Sequence, residues 1–230
     1  QPPPVTTERW IARDLPAVEE EAYISTIDNY RGKIKFLMDE FGIPRQELDN
    51  SWDVVMAKLR RNSSPWLQIF ANQRATAIGD SIAQANSNLS PKAVQDSIYR
   101  YVNQRVNFSG AHTPYSSTSD TEVLSGTPVD QAAINQTLVA MLRGADIDAN
   151  PVFSSTRPSG QINKGFPSFY QFNAQSIHSQ INGETFLMDA SFPHSQPGLM
   201  SVDMNCGLGM VFRQNSYEWI DLKPEQSKFD

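Results

Sequence analysis

Few side chains in this sequence have the chemistry of a nucleophile or a base. Cys206 is the only cysteine, and the imidazoles are those of His112, His178 and His194. A thiolate with a neighbouring imidazole forms the core of a cysteine nucleophile, so Cys206 with His178 or His194 is one candidate pair. A single cysteine is more often a small buried hydrophobic residue, and we favour that interpretation of Cys206. We expect His112 and His194 to be solvated.

A metal centre is not indicated by these residues. A single cysteine forms no internal disulfide and no cysteine-based zinc site. The three histidines are scattered and do not show the spacing of a metal cluster. The sequence therefore predicts no metal and no cofactor.

The stretch SGTPVDQAAINQTLVAMLRG, residues 125–144, has the form of a catalytic helix without its nucleophile. A glycine, a short turn and an amphipathic helix suit a reactive cysteine, because the helix dipole stabilises a thiolate at the helix N-terminus. This chain carries Thr127 and Pro128 there instead. Proline favours the first helical position, so we predict a helix from Pro128 to about Arg143.

Helices precede strands in the sequence pattern. Three helices are predicted before residue 109, a long polar loop follows, and the segments after the helix that begins at 128 read as strands. The Asn182-Gly183 pair predicts a tight hairpin turn. This order predicts an α+β fold in which helices are followed by an antiparallel sheet. The predicted helices are 50–62, 64–84 and 90–108, the loop is 109–126, and the strands lie within 149–156, 168–191 and 207–222.

Three segments carry a resemblance to a known family. Residues 126–157 resemble the nucleophile helix and following strand of the transglutaminase-like superfamily, which has a papain-like fold. Residues 167–191 resemble its histidine hairpin and aspartate strand, and residues 197–212 look like the connection to a following domain. The pattern is similar to that of bacterial multidomain members in which an N-terminal β-sandwich precedes this domain.

The resemblance places the family's cysteine at Pro128, its histidine at Ala174 and its acid at Asp189. Only the aspartate matches. Proline offers no nucleophile, alanine cannot exchange a proton, and Asp189 then has no imidazole to orient. The resemblance therefore implies a catalytically degenerate domain, that is, a pseudoenzyme in which these three positions are vestigial.

A degenerate domain that keeps its scaffold implies a binding or structural module within a larger bacterial envelope protein. A periplasmic or envelope location follows from the resemblance alone. Two alternatives stay open. One is an active cysteine hydrolase or transglutaminase-like enzyme whose nucleophile has moved to Cys206, and the other is a spacer between flanking β-domains.

A candidate groove lies beside the vestigial positions, for an unidentified peptide, protein or glycan. We assign to it Phe172, Asn173, Arg157 and His178. Arg157 either binds an anion or pairs with a nearby acid. The neighbouring aromatic residues either line the groove or pack in the core, and core packing is our expectation: Phe166, Phe169, Tyr170 and Phe172.

The chain divides into three parts by composition and pattern. Residues 1–45 combine a proline-rich linker with a period-two stretch at 29–41. We expect that stretch to be a half-buried strand that belongs to a preceding β-domain. Residues 46–222 are the predicted transglutaminase-like domain, and residues 223–230 are a C-terminal linker.

The charge and hydropathy of the chain limit its partners. The net charge of −6 at pH 7 argues against a sequence-independent nucleic-acid binder, which needs a basic face. No stretch approaches the ~20 apolar residues of a membrane span, so we predict no membrane insertion in this segment. A content of 39% hydrophobic and 19% charged residues is typical of a globular domain.

Overall fold

The computed structural model describes residues 7, 9–19, 21, 24, 26–36, 38, 40–41, 46–47, 51–61, 72–193, 195–205 and 207–222. Within these residues the architecture is α+β, which confirms the predicted fold class. Five α-helices come first, and the main sheet follows them in the chain. The helices are α1 (Trp52–Arg61), α2 (Gln73–Ala85), α3 (Pro91–Asn103), α4 (Asp120–Leu124) and α5 (Gln131–Gly144).

The strands form one large sheet and two small pairs. The two-residue strands β1 (Glu40–Phe41) and β2 (Gln46–Glu47) pair antiparallel, and β3 (Asn107–Phe108) pairs parallel with β4 (Pro128–Val129). The strands of the large sheet are β5 (Asp148–Ser154), β6 (Ala174–Ile181), β7 (Glu184–Met188), β8 (Leu208–Phe212) and β9 (Tyr217–Asp221). Their order in the sheet is β7-β6-β5-β8-β9, and every neighbouring pair is antiparallel.

Local signals in the sequence account for several of these elements. The Ser90 hydroxyl accepts from the Ala93 amide and caps α3, and Pro91 occupies its first turn. The β6–β7 hairpin turns at Asn182 and Gly183, with φ values of 53° and 84°. Both residues therefore adopt the left-handed conformation that a type I′ turn requires. The predicted start of α3 and the predicted hairpin are confirmed, but α3 ends at Asn103 and not at residue 108, because Asn107–Phe108 forms β3.

Helix α5 lies at the centre of the fold. Every residue from Ala132 to Leu142 is buried, because helices pack along its sides and the sheet covers another face. A helix that is buried all round needs small or apolar side chains on every face. The polar residues that α5 buries therefore need partners inside the protein.

Two glycines allow α2 and α5 to pack closely. A Cβ added at Gly79 would overlap the carbonyl oxygen of Met141, and one added at Gly144 would overlap that of Thr76. The two helix backbones are thus in contact at both points. This close packing fixes the C-terminal part of α5 against α2.

The two faces of the large sheet bury different cores. The face toward α5 belongs to the main hydrophobic core and includes Phe153, Ile177 and Met188. The opposite face carries a smaller apolar cluster of Val152, Ala174, Met200, Met204, Val211 and Leu222. Both faces of β5 and β6 are therefore buried.

Several predicted boundaries differ from the structure. The described part of the second helix begins at Gln73 after the cap Asn72, and residues 62–71 lie outside the described residues. The predicted loop 109–126 contains α4, whose capping box is formed by Ser119 and Glu122. The signal S-x-x-E was present in the sequence.

The assignment of residues 29–41 to a half-buried strand of a preceding β-domain stays a prediction, and the described residues of this stretch contain little strand. Residues 32–36 form no strand, and only Glu40–Phe41 pairs, with β2. A period-two pattern forms a strand only where a partner accepts its hydrogen bonds. The apolar side chains of the expected buried face are exposed: Tyr30, Ile34, Phe36 and Met38. The three-part division of the chain stays a prediction, and residues 223–230 lie outside the described residues.

Among the helices that the structure describes, none combines the length and the apolar character that crossing a bilayer requires.

Candidate functional site

The N-terminus of α5 lies three residues later than the sequence analysis places it. Asp130 is the N-cap, and its Oδ1 accepts from the Ala133 amide at 2.9 Å. Pro128 is exposed and belongs to β4. Proline has no N–H to donate, so it is tolerated at the edge of a short ladder, where that donor is not needed. The prediction that Pro128 is the first helical residue is therefore wrong, and Gln131 holds that position.

The start of β6 also differs from expectation, by one residue. Ala174 faces the smaller apolar cluster on the side of the sheet away from α5. Side chains alternate along a strand, so its neighbour Gln175 faces α5, where its main chain bonds to Gln131 and Asn135. The helix-facing position at the start of β6 is thus Gln175. Ala174 is not part of the site.

Three side chains and the main chain of a fourth residue meet between α5, β6 and the end of β7. We call these four residues the amide–carboxylate cluster: Gln131, Asn135, Asp189 and, through its main chain, Gln175. The carboxylate of Asp189 is its centre. Oδ2 accepts from Gln131 Nε2 at 2.6 Å, and Oδ1 accepts from Asn135 Nδ2 at 3.0 Å. Oδ1 also accepts from the main-chain amide and the hydroxyl of Ser191, at 3.0 and 2.6 Å. The carboxylate therefore accepts four hydrogen bonds, three at Oδ1 and one at Oδ2.

Asn135 joins α5 to both neighbouring strands. Its Nδ2 donates to the Gln175 carbonyl oxygen at 2.7 Å as well as to Asp189, and its Oδ1 accepts from the Ala190 amide at 3.0 Å. Asn135 is fully buried. Since a buried amide costs free energy unless it is hydrogen-bonded, these contacts explain how a polar residue is tolerated in the middle of α5.

Gln131 links the buried carboxylate to an imidazole. Its Oε1 accepts from the Gln175 main-chain amide at 3.3 Å and lies 3.0 Å from His112 Nδ1. An amide oxygen only accepts, so His112 must carry its proton on Nδ1 to make this bond. The expectation that His112 is solvated holds, because its side chain is exposed. Its contact with Gln131 was not predicted.

A loop covers the cluster, and we call residues 109–119 the covering loop. The main-chain amide of Gln131 donates to the Ala111 carbonyl oxygen at 3.0 Å, and Gln175 Nε2 donates to the Pro114 carbonyl oxygen at 2.9 Å. The Ser116 hydroxyl donates to Asp130 Oδ2 at 2.6 Å. The side chains beneath the loop are therefore closed off: Gln131, Asn135 and Gln175 are 0% exposed, and Asp189 is 2% exposed.

One acceptor in the cluster has no partner. Gln175 Oε1 is buried, and no hydrogen-bond donor among the described residues reaches it. An unsatisfied buried acceptor costs about 1–3 kcal/mol. The cluster is thus fully bonded around Asp189 and incomplete at this single atom.

Tyr99 of α3 closes the other side of Asp189. Its hydroxyl donates to the Asp189 carbonyl oxygen at 2.8 Å and also hydrogen-bonds to the Ser195 hydroxyl. Burial is the main cause that raises the pKa of Tyr99 to about 12, and the charge of Asp189 adds to it. The phenol therefore stays protonated near neutral pH and acts as a donor.

The remaining residues of the predicted groove do not come together. Phe172 is buried in an aromatic core with Trp52, Phe153 and Phe169, as core packing predicts. Asn173 Nδ2 donates to the hydroxyls of Thr156 and Ser159, at 2.9 and 2.8 Å. Asn173 therefore braces the chain after β5, and it does not line a groove with Phe172.

Arg157 and His178 lie elsewhere. Arg157 begins a short 3-10 helix, and its main-chain amide donates to the Asp203 carbonyl oxygen at 2.8 Å. His178 is buried on the sheet face away from α5, and its Nδ1 has no partner among the described residues. Burial, followed by the charge of Arg213, lowers the pKa of His178. His178 therefore lies on the opposite face of the sheet from the side chain of Gln175, three residues earlier in β6.

The pairing of Cys206 with His178 or His194 stays a prediction, because Cys206 and His194 lie outside the described residues. Among the described residues no group of three or more histidine, cysteine, aspartate or glutamate side chains could hold a metal ion.

The sequence analysis missed three of the four cluster residues. Gln131 and Asn135 are four apart and so share one face of α5, and that face is otherwise flanked by alanines and isoleucine. A pair of amides at helical spacing inside an apolar helix is a signal for a buried polar contact. The missing information was the partner, since Gln175 and Asp189 are more than 40 residues away in the sequence.

Comparisons with known proteins add little to this geometry. No protein-family model matches the chain, and no curated protein matches it. Among solved structures, it is similar to the crystal structure of a putative protease from Parabacteroides distasonis ATCC 8503, at 11% identity and a TM-score of 0.43. The match covers 75% of this chain and 31% of that one. This chain thus spans about a third of the length of that protein, and a match at this level does not establish a shared activity.

Proposed function

We propose that this chain is a catalytically inactive domain of the transglutaminase-like type, which serves as a binding or structural module. The observation that carries the proposal is the set of hydrogen-bond donors around the Asp189 carboxylate. In a Cys-His-Asp arrangement the acid orients the imidazole through a hydrogen bond. Here Asp189 accepts four hydrogen bonds from amides and a serine, and none of its donors among the described residues is an imidazole.

The residues at the two other key positions support the same proposal. Under the resemblance to this family, a nucleophile belongs at the N-terminus of the buried helix and a histidine at the start of the hairpin. Gln131 begins the buried helix, Gln175 lies at the start of the hairpin, and the Gln131 side chain accepts from the Gln175 main-chain amide. A carboxamide is neither a nucleophile nor a base at neutral pH, so this pair cannot replace a thiolate and an imidazole.

Burial of the cluster is a second, independent support. Gln131, Gln175 and Asp189 are at most 2% exposed beneath the covering loop. Catalysis requires a substrate atom within hydrogen-bond reach of the catalytic groups. The bonds from Gln131 and Gln175 to the covering loop keep that space closed.

The context of the domain is part of the proposal. The resemblance to bacterial multidomain proteins supports a place in a larger envelope protein with flanking β-domains. In such a chain the closed cluster would serve as a rigid structural centre. Binding would then take place on the surface of the domain.

The direct test is an activity assay on the chain and on a Cys206→Ser variant. Incorporation of a fluorescent amine into casein and cleavage of a casein substrate should both be absent. The control variant distinguishes the alternative, a nucleophile moved to Cys206. An activity that survives in Cys206→Ser would overturn the proposal, and an activity that disappears in this variant would establish the alternative.

A second test installs the missing groups. Gln131→Cys with Gln175→His, in a Cys206→Ser background, removes the Gln131 donor from Asp189 Oδ2 and adds an imidazole at residue 175, whose main chain contacts residue 131. The thiol pKa, measured from thiolate absorbance, should fall below the ordinary value of about 8.5 because of the imidazolium and the helix N-terminus. Gln131→Cys without the histidine is the matched control, and burial should keep its thiol pKa at or above that value. Equal pKa values in both variants would show that these positions do not form a vestigial catalytic pair.

A further inference from the structure

A groove on another part of the surface carries an unusual concentration of positive charge. It has a volume of about 770 Å³ and lies between the segment 28–35 and the loop 159–166. We call it the basic groove. It shares no lining residue with the amide–carboxylate cluster.

The charge of the basic groove is opposite to that of the whole chain. Four cations line it together with one carboxylate, although the chain has a net charge of −6. A concave surface of one sign focuses the electrostatic potential and raises the local concentration of ligands of the opposite sign. The charged side chains are Arg31, Lys33, Lys35, Lys164 and Asp28.

The single carboxylate neutralises only one end of the groove. Asp28 lies 3.6 Å from Arg31 Nη1 and 3.3 Å from Lys33 Nζ. Lys35 and Lys164 have no carboxylate partner among the described residues, and each ammonium lies over an aromatic ring instead. Lys35 Nζ is 5.5 Å from the centre of the Phe166 ring, and Lys164 Nζ is 5.1 Å from that of Trp219. Both cations are thus held in place, and both are available to an anion.

The two walls are joined by a specific contact. The main-chain amide of Gln161 donates to Asn29 Oδ1 at 2.9 Å. Asn29 approaches this closely because Gly160 has no side chain, and a Cβ there would lie 2.8 Å from the same oxygen. The φ of Gly160 is +90°, a conformation that other residues rarely adopt. The position of the cations on the segment 28–35 therefore depends on this glycine.

The loop wall is also braced from within. The Gln171 side chain bonds to the main chain of Asn163 twice. Gln171 Oε1 accepts from the Asn163 main-chain amide at 2.8 Å, and Gln171 Nε2 donates to the Asn163 main-chain carbonyl oxygen at 3.1 Å. The Trp52 indole donates to the Lys164 carbonyl oxygen at 2.8 Å. A site that is held in shape before the ligand arrives loses less entropy on binding.

We propose that the basic groove binds an acidic oligosaccharide, a sugar chain that carries carboxylates or sulfates. Lys35 and Lys164 would pair with the acidic groups. The exposed amide side chains of Gln161 and Asn163 on the same wall would hydrogen-bond to hydroxyls. This inference goes beyond the proposed function, because it names a site and a ligand class that a non-catalytic module alone does not require.

An acidic peptide fits the groove less well. An extended peptide is commonly recognised by adding a strand to an exposed sheet edge. The large sheet contributes only Leu208 of β8 to the lining, and β8 is an inner strand between β5 and β9. The described lining therefore offers charge and hydroxyl-binding groups but no free edge for a peptide main chain.

The experiment measures the binding of tetragalacturonate to the whole chain by isothermal titration calorimetry. Maltotetraose is the neutral sugar control, and hexaglutamate is the acidic peptide control. The test variant is Lys35→Gln with Lys164→Gln, whose side chains are exposed and do not contribute to the core. The matched control is Lys92→Gln, because Lys92 lies over the Phe186 ring at 5.2 Å but does not line the groove.

We expect binding of tetragalacturonate that weakens as salt screens the charges, and no binding of maltotetraose. The double variant should bind about tenfold more weakly, as expected for two exposed ion pairs, and Lys92→Gln should bind as the wild type does. Gly160→Ala should also weaken binding without changing any charge. Absence of tetragalacturonate binding, equal binding by the double variant, or tighter binding of hexaglutamate would each overturn the proposal. None of these results depends on whether the chain has catalytic activity.

Discussion

Replacement of Asp189 by asparagine should leave a buried conflict that the surrounding side chains cannot resolve. The new side chain can keep its oxygen at the Oδ1 position, where it accepts from Asn135 and Ser191. Its NH₂ group then occupies the Oδ2 position, which accepts from Gln131 Nε2 at 2.6 Å in the wild type. Two donors therefore face each other inside the protein.

Rotation of the Gln131 amide does not remove this conflict. It turns Oε1 toward the new NH₂ group, but it also turns Nε2 toward the main-chain amide of Gln175, which is a donor. One buried donor stays unsatisfied in either orientation, at a cost of about 1–3 kcal/mol, and a bond to a charged acceptor is lost as well. We expect a loss of about 2–3 kcal/mol in the free energy of unfolding. This corresponds to a decrease of about 1 M in the urea midpoint.

A second substitution should restore the pairing. In Asp189→Asn with Gln131→Glu, the new carboxylate accepts from the new amide, and its other oxygen accepts from Gln175 and His112. The helix N-terminus also favours a negative charge at residue 131. Gln131→Glu alone should be the least stable protein, because it places two carboxylates in contact.

The assay is urea unfolding of the four proteins, followed by circular dichroism and analysed as a double-mutant cycle. The double variant should be more stable than the sum of the two single changes allows, and it should recover most of the loss. Unchanged stability of Asp189→Asn, or simple additivity of the two changes, would refute the assigned hydrogen bonds.

Three further predictions concern the scaffold. Gly79→Ala should lower the free energy of unfolding by about 3 kcal/mol in urea titrations, because its Cβ overlaps the Met141 carbonyl oxygen; no loss would contradict the close packing of α2 on α5. The folded-state pKa of His178 lies below its unfolded value of about 6.5. Stability is therefore complete above that pH and decreases as pH falls from it toward the folded pKa. His178→Gln should show a shallower decrease over this range in parallel titrations, and identical slopes would contradict the prediction. Tyr99→Phe should cost about 1–2 kcal/mol, measured by thermal unfolding, because the Asp189 carbonyl oxygen loses a buried donor.

Short-range signals predicted much of the fold. Ser90 and Pro91 marked the start of α3, and Asn182-Gly183 marked the β6–β7 turn. These signals act through the backbone of adjacent residues, so they can be interpreted without knowledge of the rest of the molecule. The α+β order followed from the positions of such elements along the chain.

The register at the start of β6 could not be predicted in the same way. A one-residue shift moves every side chain of a strand to the other face of the sheet. The expected position, Ala174, and the position that faces α5, Gln175, differ by such a shift. Alternation of polar and apolar residues normally fixes the register. In β6 both faces are buried, and seven of its eight residues are buried, so the alternation is lost. The mixed pattern AQSIHSQI is compatible with either face toward α5.

The start of α5 was ambiguous for a different reason. Pro128 and Asp130 are both recognised helix-start signals, since proline suits the first turn and aspartate suits the N-cap. The choice between them depends on the parallel pairing of β4 with β3 and on the Ser116 hydrogen bond to Asp130. Both are tertiary contacts. They place the start of α5 at Gln131 and not at Pro128.

The chain that leads into β6 connects the closed cluster with the surface. Gln175 bonds to Gln131 and Asn135 in the cluster, and Asn173, two residues earlier, bonds to Ser159 in the lining of the basic groove. A buried polar network fixes the positions of its members more narrowly than apolar contacts of similar size, because hydrogen bonds are directional. The rigidity of the cluster would therefore hold one wall of the groove in place. Because the cluster and the groove wall are connected through residues 173–175, Asp189→Asn should weaken tetragalacturonate binding even though it removes no group from the groove. The added Gln131→Glu change should restore both stability and binding.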